Sequence, residues 1–370
     1  MKAKRMVALL AVLVMLVTMM PSGLAVGIDE GKTEFDFPLI YDPGSMEKTS
    51  GSTLNINKYG IYLGNSTAMR SADLTNSDDS QNINGIRFSV NNSKKPSSPL
   101  EMMYMIFTSN QVQTPPVLNE DGYVIEADYT VWLHGGKQLD FVINGTDTAG
   151  KAKTIGIIRA ERLAETAVGG DKGIMYAVDA QGNKLEGSNE VPIVVTKPGN
   201  KGYAGDLVTV KASINLKTQT LSLWAKVKKS HGGSADETAM AEKDLLLRDI
   251  PFYTNVESLR GLALKIHANN GKTIEYGTGA WVTGIKLDKD YYPVSGTADA
   301  GIKAVSLLKN DSVIYSAQTA DGKIQFPRVA AGTYDVEVTY HDRYVASENQ
   351  PNTLTWTIIK KVDRGMRKIG

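Results

Sequence analysis

Two patterns of apolar and polar positions divide this chain of 370 residues. Residues 6–20 form an apolar run broken only by Thr18. From about position 85 onward the period is two, with short runs at 85–90, 102–107, 123–133, 139–143, 154–159, 173–178, 207–216, 220–227, 259–267 and 280–287. Alternation of this kind places one set of side chains on each face of a β-strand. Asp121-Gly122, Gln181-Gly182-Asn183 and Asn269-Asn270-Gly271 punctuate the runs as turns. No helical period is sustained, and residues 235–247 read as a loop with one or two turns. The pattern therefore predicts an all-β protein whose main part, residues 26–290, is a sandwich of two antiparallel sheets.

A boundary is expected near Asp290-Tyr291-Tyr292-Pro293. Beyond it, runs at 302–309, 312–319, 323–326, 333–340 and 354–359 predict a second, smaller β-sandwich over residues 291–362. Residues 363–370 form a basic tail carrying Arg364, Arg367 and Lys368, which reads as a disordered end.

Face assignment gives the first candidate site. In the 123–133 run, Tyr123, Ile125, Ala127, Tyr129, Val131 and Leu133 share the core face. Glu126, Asp128, Thr130, Trp132 and His134 share the other. The 207–216 run puts Val208, Val210, Ala212 and Ile214 inside and Lys211, Ser213 and Asn215 outside. The 220–227 run leaves Trp224 outside with Ser222 and Lys226. Trp281 and Trp356 have apolar face-mates and read as core. An indole on a polar sheet face can stack on a sugar ring while neighbouring polar groups take its hydroxyls. The candidate ligand-binding set is therefore Trp132 and Trp224 as platforms, with Glu126, Asp128, Lys211, Asn215 and Lys226 as partners. A loop or extra strand covering the two tryptophans is the competing expectation.

Composition narrows the chemistry. The chain holds 41 Lys+Arg against 40 Asp+Glu, four His and no Cys. A near-zero net charge disfavours nucleic acid as a partner. The absence of cysteine removes disulfides, thiolate–metal sites and thiol nucleophiles. At the N-terminus, Lys2, Lys4 and Arg5 precede the apolar run, and Pro21, Gly23 and Ala25 follow it. This is the layout of a secretory signal peptide cleaved near Ala25, its apolar run being short for a membrane span. Its removal takes the net charge from +1 to −2. A secreted, extracellular protein with no transmembrane segment in the mature chain is expected, and the missing cysteines suit a Gram-positive export route.

Two resemblances rest on particular stretches. Residues 123–132 (YVIEADYTVW), 209–224 (TVKASINLKTQTLSLW) and 281–287 (WVTGIKL) together resemble concanavalin-like jelly-roll modules of secreted bacterial glycan-active proteins. The likeness spans residues 28–288 and implies carbohydrate binding. Where such modules often carry an Asp-Asn-Ile run, this chain has Thr283-Gly284-Ile285, which takes away an acidic side chain. In the C-terminal part, Val294-Ser295-Gly296-Thr297, Asp321-Gly322-Lys323-Ile324-Gln325-Phe326 and Ala331-Gly332-Thr333-Tyr334 resemble carboxypeptidase-regulatory-like, prealbumin-like sandwiches. That likeness implies an immunoglobulin-like spacer or presentation module, with its glycines in left-handed turns. Some relatives carry a Lys–Asn crosslink, for which Lys303, Asn352 and Glu337 are the candidates here.

Enzymatic readings are weaker. Glu126 and Asp128 resemble the start of the E-x-D-x-x-E strand of laminarinase-type hydrolases, but Val131 stands where the third acid belongs, so no catalytic residue is assigned. A jelly-roll polysaccharide lyase would need Arg, Gln, His and Tyr converging on one concave face. Lys265 and His267 share a wet register and form a possible base set with Lys211 and His134. No cofactor or metal is assigned. Asp288-Lys289-Asp290 and Asn76-Ser77-Asp78-Asp79 offer oxygens of the kind calcium takes, and read first as solvated turns. The expected function is non-catalytic binding of a polysaccharide or cell-surface glycan on the concave face of the jelly roll. A jelly-roll lyase or hydrolase is the alternative, and a structural or adhesive surface protein the second.

Overall fold

The computed structural model describes residues 37–46, 48–50, 53–64, 74–76, 84–90, 99–107, 117–133, 136–164, 171–196, 205–230, 233–268, 274, 278–298, 301–341 and 355–358. The expected signal segment, basic tail, His134 and Asn352 lie outside these residues, as do Ser77-Asp78-Asp79 of the second acidic turn and the side chain of Trp356.

The first strands are β1 (Leu39–Tyr41), β2 (Lys48–Ser50), β3 (Thr53–Leu54), β4 (Ile61–Leu63), β5 (Leu74–Asn76), β6 (Asn84–Ser89) and β7 (Leu100–Ile106). Longer strands follow: β8 (Gly122–Trp132), β9 (Gly136–Thr146), β10 (Ala152–Ala164), β11 (Lys172–Val178), β12 (Val191–Val194) and β13 (Leu207–Asn215). Next are β14 (Thr220–Lys229), β15 (Leu245–Pro251), β16 (Ser258–Ala268) and β17 (Gly279–Lys289). The last group is β18 (Tyr291–Thr297), β19 (Ile302–Lys309), β20 (Ser312–Gln318), β21 (Lys323–Ala330), β22 (Asp335–Tyr340) and β23 (Thr355–Ile358). Among the described residues the only helical pieces are short 3-10 turns, at Pro43–Ser45, Ile56–Tyr59 and Glu242–Asp244. The 235–247 stretch, read as a loop, ends in the last of these turns and then enters β15.

The larger of two compact units takes in most of the chain up to Lys289. One sheet runs β15-β14-β13-β8-β17-β6-β5, with β1 also paired to β17, and the other runs β12-β11-β10-β9-β16-β7-β4. The chain crosses between sheets from β4 to β5, on either side of β7, from β8 to β9, from β12 to β13, and on either side of β16, as expected of a jelly roll. Tyr129 of β8 and Phe141 of β9 stack across the interior with ring centroids 6.0 Å apart, so the sheets face each other. All six core-face residues expected on β8 are buried, and Leu139, Phe141 and Ile143 of β9 meet them from the opposite sheet with Leu262, Leu264 and Ile266 of β16. Gly279 is required where β17 passes β6, because a Cβ there would lie 2.0 Å from the Phe88 carbonyl oxygen.

The smaller unit contains β18 to β23. It has two three-stranded antiparallel sheets, β21-β18-β23 and β20-β19-β22. Its core is built on Val294, Ile302, Val305, Ile324, Phe326 and Tyr334. Asn310, Asp311, Asp321 and Gly322 take left-handed backbone at the hairpin ends, as their small or amide side chains permit. The Ala331-Gly332 turn uses no left-handed residue, against the expectation for both glycines.

One burial expectation fails. Lys211, Ser213, Asn215, Ser222, Trp224 and Lys226 occupy the non-core face of β13 and β14 as predicted, yet all are buried. Segment 233–241 accounts for part of the cover. It folds back on β14 through a bridge between Ala235 and Lys229, and the Asp236 amide donates to the Lys228 carbonyl.

Candidate functional site

The tryptophan face was the first candidate. Trp132 and Trp224 do lie on the same face of the same sheet. Trp224 is the cross-strand partner of Lys211, whose ammonium sits 5.1 Å from the indole centroid. Asp128, in register with Trp132, accepts from the Thr209 hydroxyl at 2.5 Å and from the Lys228 ammonium at 2.7 Å. Lys226 donates to the carbonyl and hydroxyl of Thr238 at 2.8 Å each, and lies 2.9 Å from Asp236. Asn215 accepts from the amides of Lys217 and Thr218, so it shapes the β13–β14 turn. Glu126 is half-buried.

The two indoles are not open platforms. Trp132 is 6% exposed and Trp224 8%. Trp132 packs against Trp281 with centroids 6.0 Å apart, and the Arg87 guanidinium lies 5.9 Å from one ring and 5.1 Å from the other. Trp281, read as part of the main core, instead forms this separate pair with Trp132. The stacking role expected of Trp132 and Trp224 is corrected accordingly: Trp132 is covered by Trp281 and Arg87, and Trp224 lies under Lys211 on the strand where segment 233–241 folds back.

The outer face of the seven-stranded sheet holds a different assembly. Register places Glu101, Lys265, Asp140, Arg159 and Tyr176 in one cross-strand row over β7, β16, β9, β10 and β11. The adjacent row is His267, Gln138 and Glu161. The row on the other side begins Tyr62, Tyr104 and Ala263. These outward positions alternate with the inward core residues of the same strands.

Asp140 is the hub. Its two oxygens accept from Arg159 Nε at 2.7 Å and from Nη2 at 2.8 Å, a forked pair. His267 Nε2 lies 2.7 Å from Asp140 Oδ2. Burial alone would raise the Asp140 pKa, but the hydrogen bonds from Arg159 and His267 outweigh it and hold the carboxyl below its usual value. The third Arg159 donor, Nη1, is 2.6 Å from the Gly182 carbonyl oxygen. In the next row, Glu161 accepts from the Tyr176 hydroxyl at 2.5 Å, from Gln138 at 3.2 Å and from Lys137 at 3.2 Å. Burial, and then the bond to Glu161, push the Tyr176 hydroxyl far up, so it stays protonated.

Toward the β4 edge the face opens. Tyr104 is 37% exposed and stacks on Tyr62 at 4.9 Å with 18° between planes. Lys265 and Glu101 pair loosely at 3.8 Å. The His267 side chain is 23% exposed. The face thus joins a fixed ionic floor to an accessible aromatic ring, an imidazole and two ammonium groups.

Sequence reasoning placed Lys265 and His267 correctly on one outward register, but grouped them with Lys211, which belongs to the other sheet. It missed Asp140, Arg159, Glu161, Tyr176, Tyr62 and Tyr104. A usable signal was present: polar pairs two apart, Gln138/Asp140, Arg159/Glu161 and Lys265/His267, recur in three of the strands. Glu126 and Asp128 gain no third acid, since Val131 is in the core. No group of three or more His, Asp or Glu suited to a metal lies among the described residues. Within the first acidic turn, the Asp290 carboxylate accepts from the Tyr292 hydroxyl. No described helix is long and apolar enough to cross a membrane.

No protein-family model matches this sequence, and no curated protein matches it. Solved structures do resemble it. An alginate lyase from Pseudomonas aeruginosa aligns at 13% identity and TM-score 0.32, covering 60% of this chain and 87% of that one. Lectin II from Ulex europaeus aligns at 8% identity and TM-score 0.33, covering 68% and 98%. A putative β-glucanase from Mycobacterium abscessus aligns at 13% identity and TM-score 0.28, covering 67% and 98%. The all-β sandwich assigned to this chain stands on its own strand order and core.

Proposed function

We propose that this protein is an exported polysaccharide-binding protein that engages glycan on the outer face of its seven-stranded sheet. The observation carrying this reading is the single face that joins exposed Tyr104, stacked on Tyr62, to Lys265, Glu101, His267 and Lys137 above the Asp140–Arg159 pair. Tyr104 supplies an apolar surface for a sugar ring, and the half-open charged side chains supply hydroxyl partners. The buried pairs hold the strands in register and fix the positions of those partners. The smaller unit serves as a spacer or presentation module, in keeping with the sequence resemblance. Export rests on the signal-like N-terminus.

A glycan array tests this reading. The full chain should bind a defined set of polysaccharides, and Tyr104→Ala should lose them. An array on which the full chain retains nothing contradicts it.

One observation favours a second reading, elimination. Gln138, Arg159, Tyr176 and His267, one of each type a sandwich-fold lyase requires, share adjacent rows of the same face. With Nε2 facing Asp140, the Nδ1 of a neutral His267 is free to take the proton beside a uronate carboxylate. As the C–O bond at the next carbon breaks and a double bond forms, a Tyr hydroxyl returns a proton to the leaving oxygen. Against it, the Tyr176 hydroxyl is already committed to Glu161. Incubation with acidic polysaccharides decides: unsaturated products that vanish in His267→Ala establish elimination, and their absence leaves binding alone.

A further inference from the structure

We propose that a cleft at one end of the seven-stranded sheet, beside the Tyr104 row, is a second binding site that takes a hexuronate residue. The cleft has a volume of about 390 Å³, within the ~300–1,000 Å³ of small-molecule sites. Its walls are built and held. On one side Leu118 bridges Leu259, whose amide donates to the Leu118 carbonyl at 2.8 Å, and Val117 is left 72% exposed at the rim. On the other side the 146–151 hairpin is pinned by Asp147, which accepts from the amides of Ala149 at 3.0 Å and Lys151 at 2.8 Å, with Gly150 in left-handed backbone. Ile106 and Phe107 add apolar surface, while Asn119, Glu257 and Arg260 add polar groups.

The charge inventory selects the ligand. The Asp147 carboxylate is committed to its own hairpin and to Lys153 at 3.5 Å. Glu257 is exposed and solvated. Arg260 is half-buried, and among the described residues no hydrogen bond or ion pair engages its guanidinium. A planar five-donor fork in that condition matches a carboxylate through two parallel N–H···O bonds. Val117 and Ile106 give the sugar ring an apolar contact, and Asn119 and Glu257 stand within the same cleft for its hydroxyls. This site does not rest on the polysaccharide reading. Ile106 pairs with Gly261 and Tyr104 with Ala263, so the two regions belong to successive outward rows.

An amide-detected NMR titration of the full chain with galacturonate, galactose and acetate tests the proposal. Galacturonate should shift amides at 146–150 and 257–260, with a dissociation constant at least about tenfold below that of galactose. Arg260→Gln should remove that preference, Arg260→Lys should reduce it, and Tyr104→Ala should leave it unchanged. No shift at these amides overturns the proposal, as does equal binding of galactose. Wild-type affinity in Arg260→Gln overturns it too, and so does acetate binding as well as galacturonate, which would mark a bare carboxylate site. If Arg260→Gln does not fold, the galactose and acetate arms on the wild-type chain still decide the question.

Discussion

Asp140 carries more of the site than any other residue, because three interactions converge on one buried carboxylate. Replacing it with Asn strips the buried guanidinium of its countercharge. Breaking a buried pair from one side costs about 3–5 kcal/mol, so Asp140→Asn should lower the urea midpoint by that equivalent. The pH dependence has a definite sign. The folded carboxyl titrates below its ordinary 3.8, so its contribution is complete above that value and is lost as pH falls through the lower folded pKa. Wild-type stability should therefore drop on acidification below about pH 4, and Asp140→Asn should show less of that drop in urea titrations at successive pH values. The tryptophans make the opposite point. Trp281 is 3% exposed and packs on Trp132, so Trp281→Ala should destabilise by about 3–5 kcal/mol. Glycan binding should survive in the fraction that remains folded.

At the scale of strands, alternation was a sound guide wherever a strand buries only one face. The core set of β8 could be read directly from the sequence, because Glu126, Asp128 and Thr130 alternate with Ile125, Ala127, Tyr129 and Val131 along its middle. β15 escaped because Leu245-Leu246-Leu247 gives a continuous apolar run with no period. β1, β4 and β12 escaped because three or four residues are too few to establish one. The site was less legible than the fold for a different reason. Asp140, Arg159 and His267 are far apart in the chain and meet only through the registers of β9 with β10 and β16, which local pattern does not encode. The cover over Trp224 was invisible on the same grounds, since it depends on where segment 233–241 returns. Close strand passage provides a test at this scale. Gly279→Ala puts a Cβ 2.0 Å from the Phe88 carbonyl oxygen, so β17 and β6 must separate. The expected cost is about 1–3 kcal/mol, read from thermal or urea unfolding.

At the scale of the molecule, the chain divides its polar resources unevenly between two sheet faces. The eight-stranded sheet spends its indoles and lysines on internal contacts, with Lys211 over Trp224, Lys226 on Thr238 and Lys228 on Asp128. The seven-stranded sheet buries its ionic pairs at the centre and leaves Tyr104, Lys265 and His267 accessible at one side. With a net charge of only +1 over the whole chain, no long-range field draws a polyanion. Recognition then depends on these local groups. The most direct measurement compares dissociation constants for one array-selected polysaccharide among the wild-type chain, Tyr104→Ala and Trp224→Phe. Binding on the seven-stranded sheet predicts a loss of about tenfold or more for Tyr104→Ala, about 1.4 kcal/mol, and no change for Trp224→Phe. Unchanged affinity in Tyr104→Ala, with the loss falling on Trp224→Phe, would contradict it.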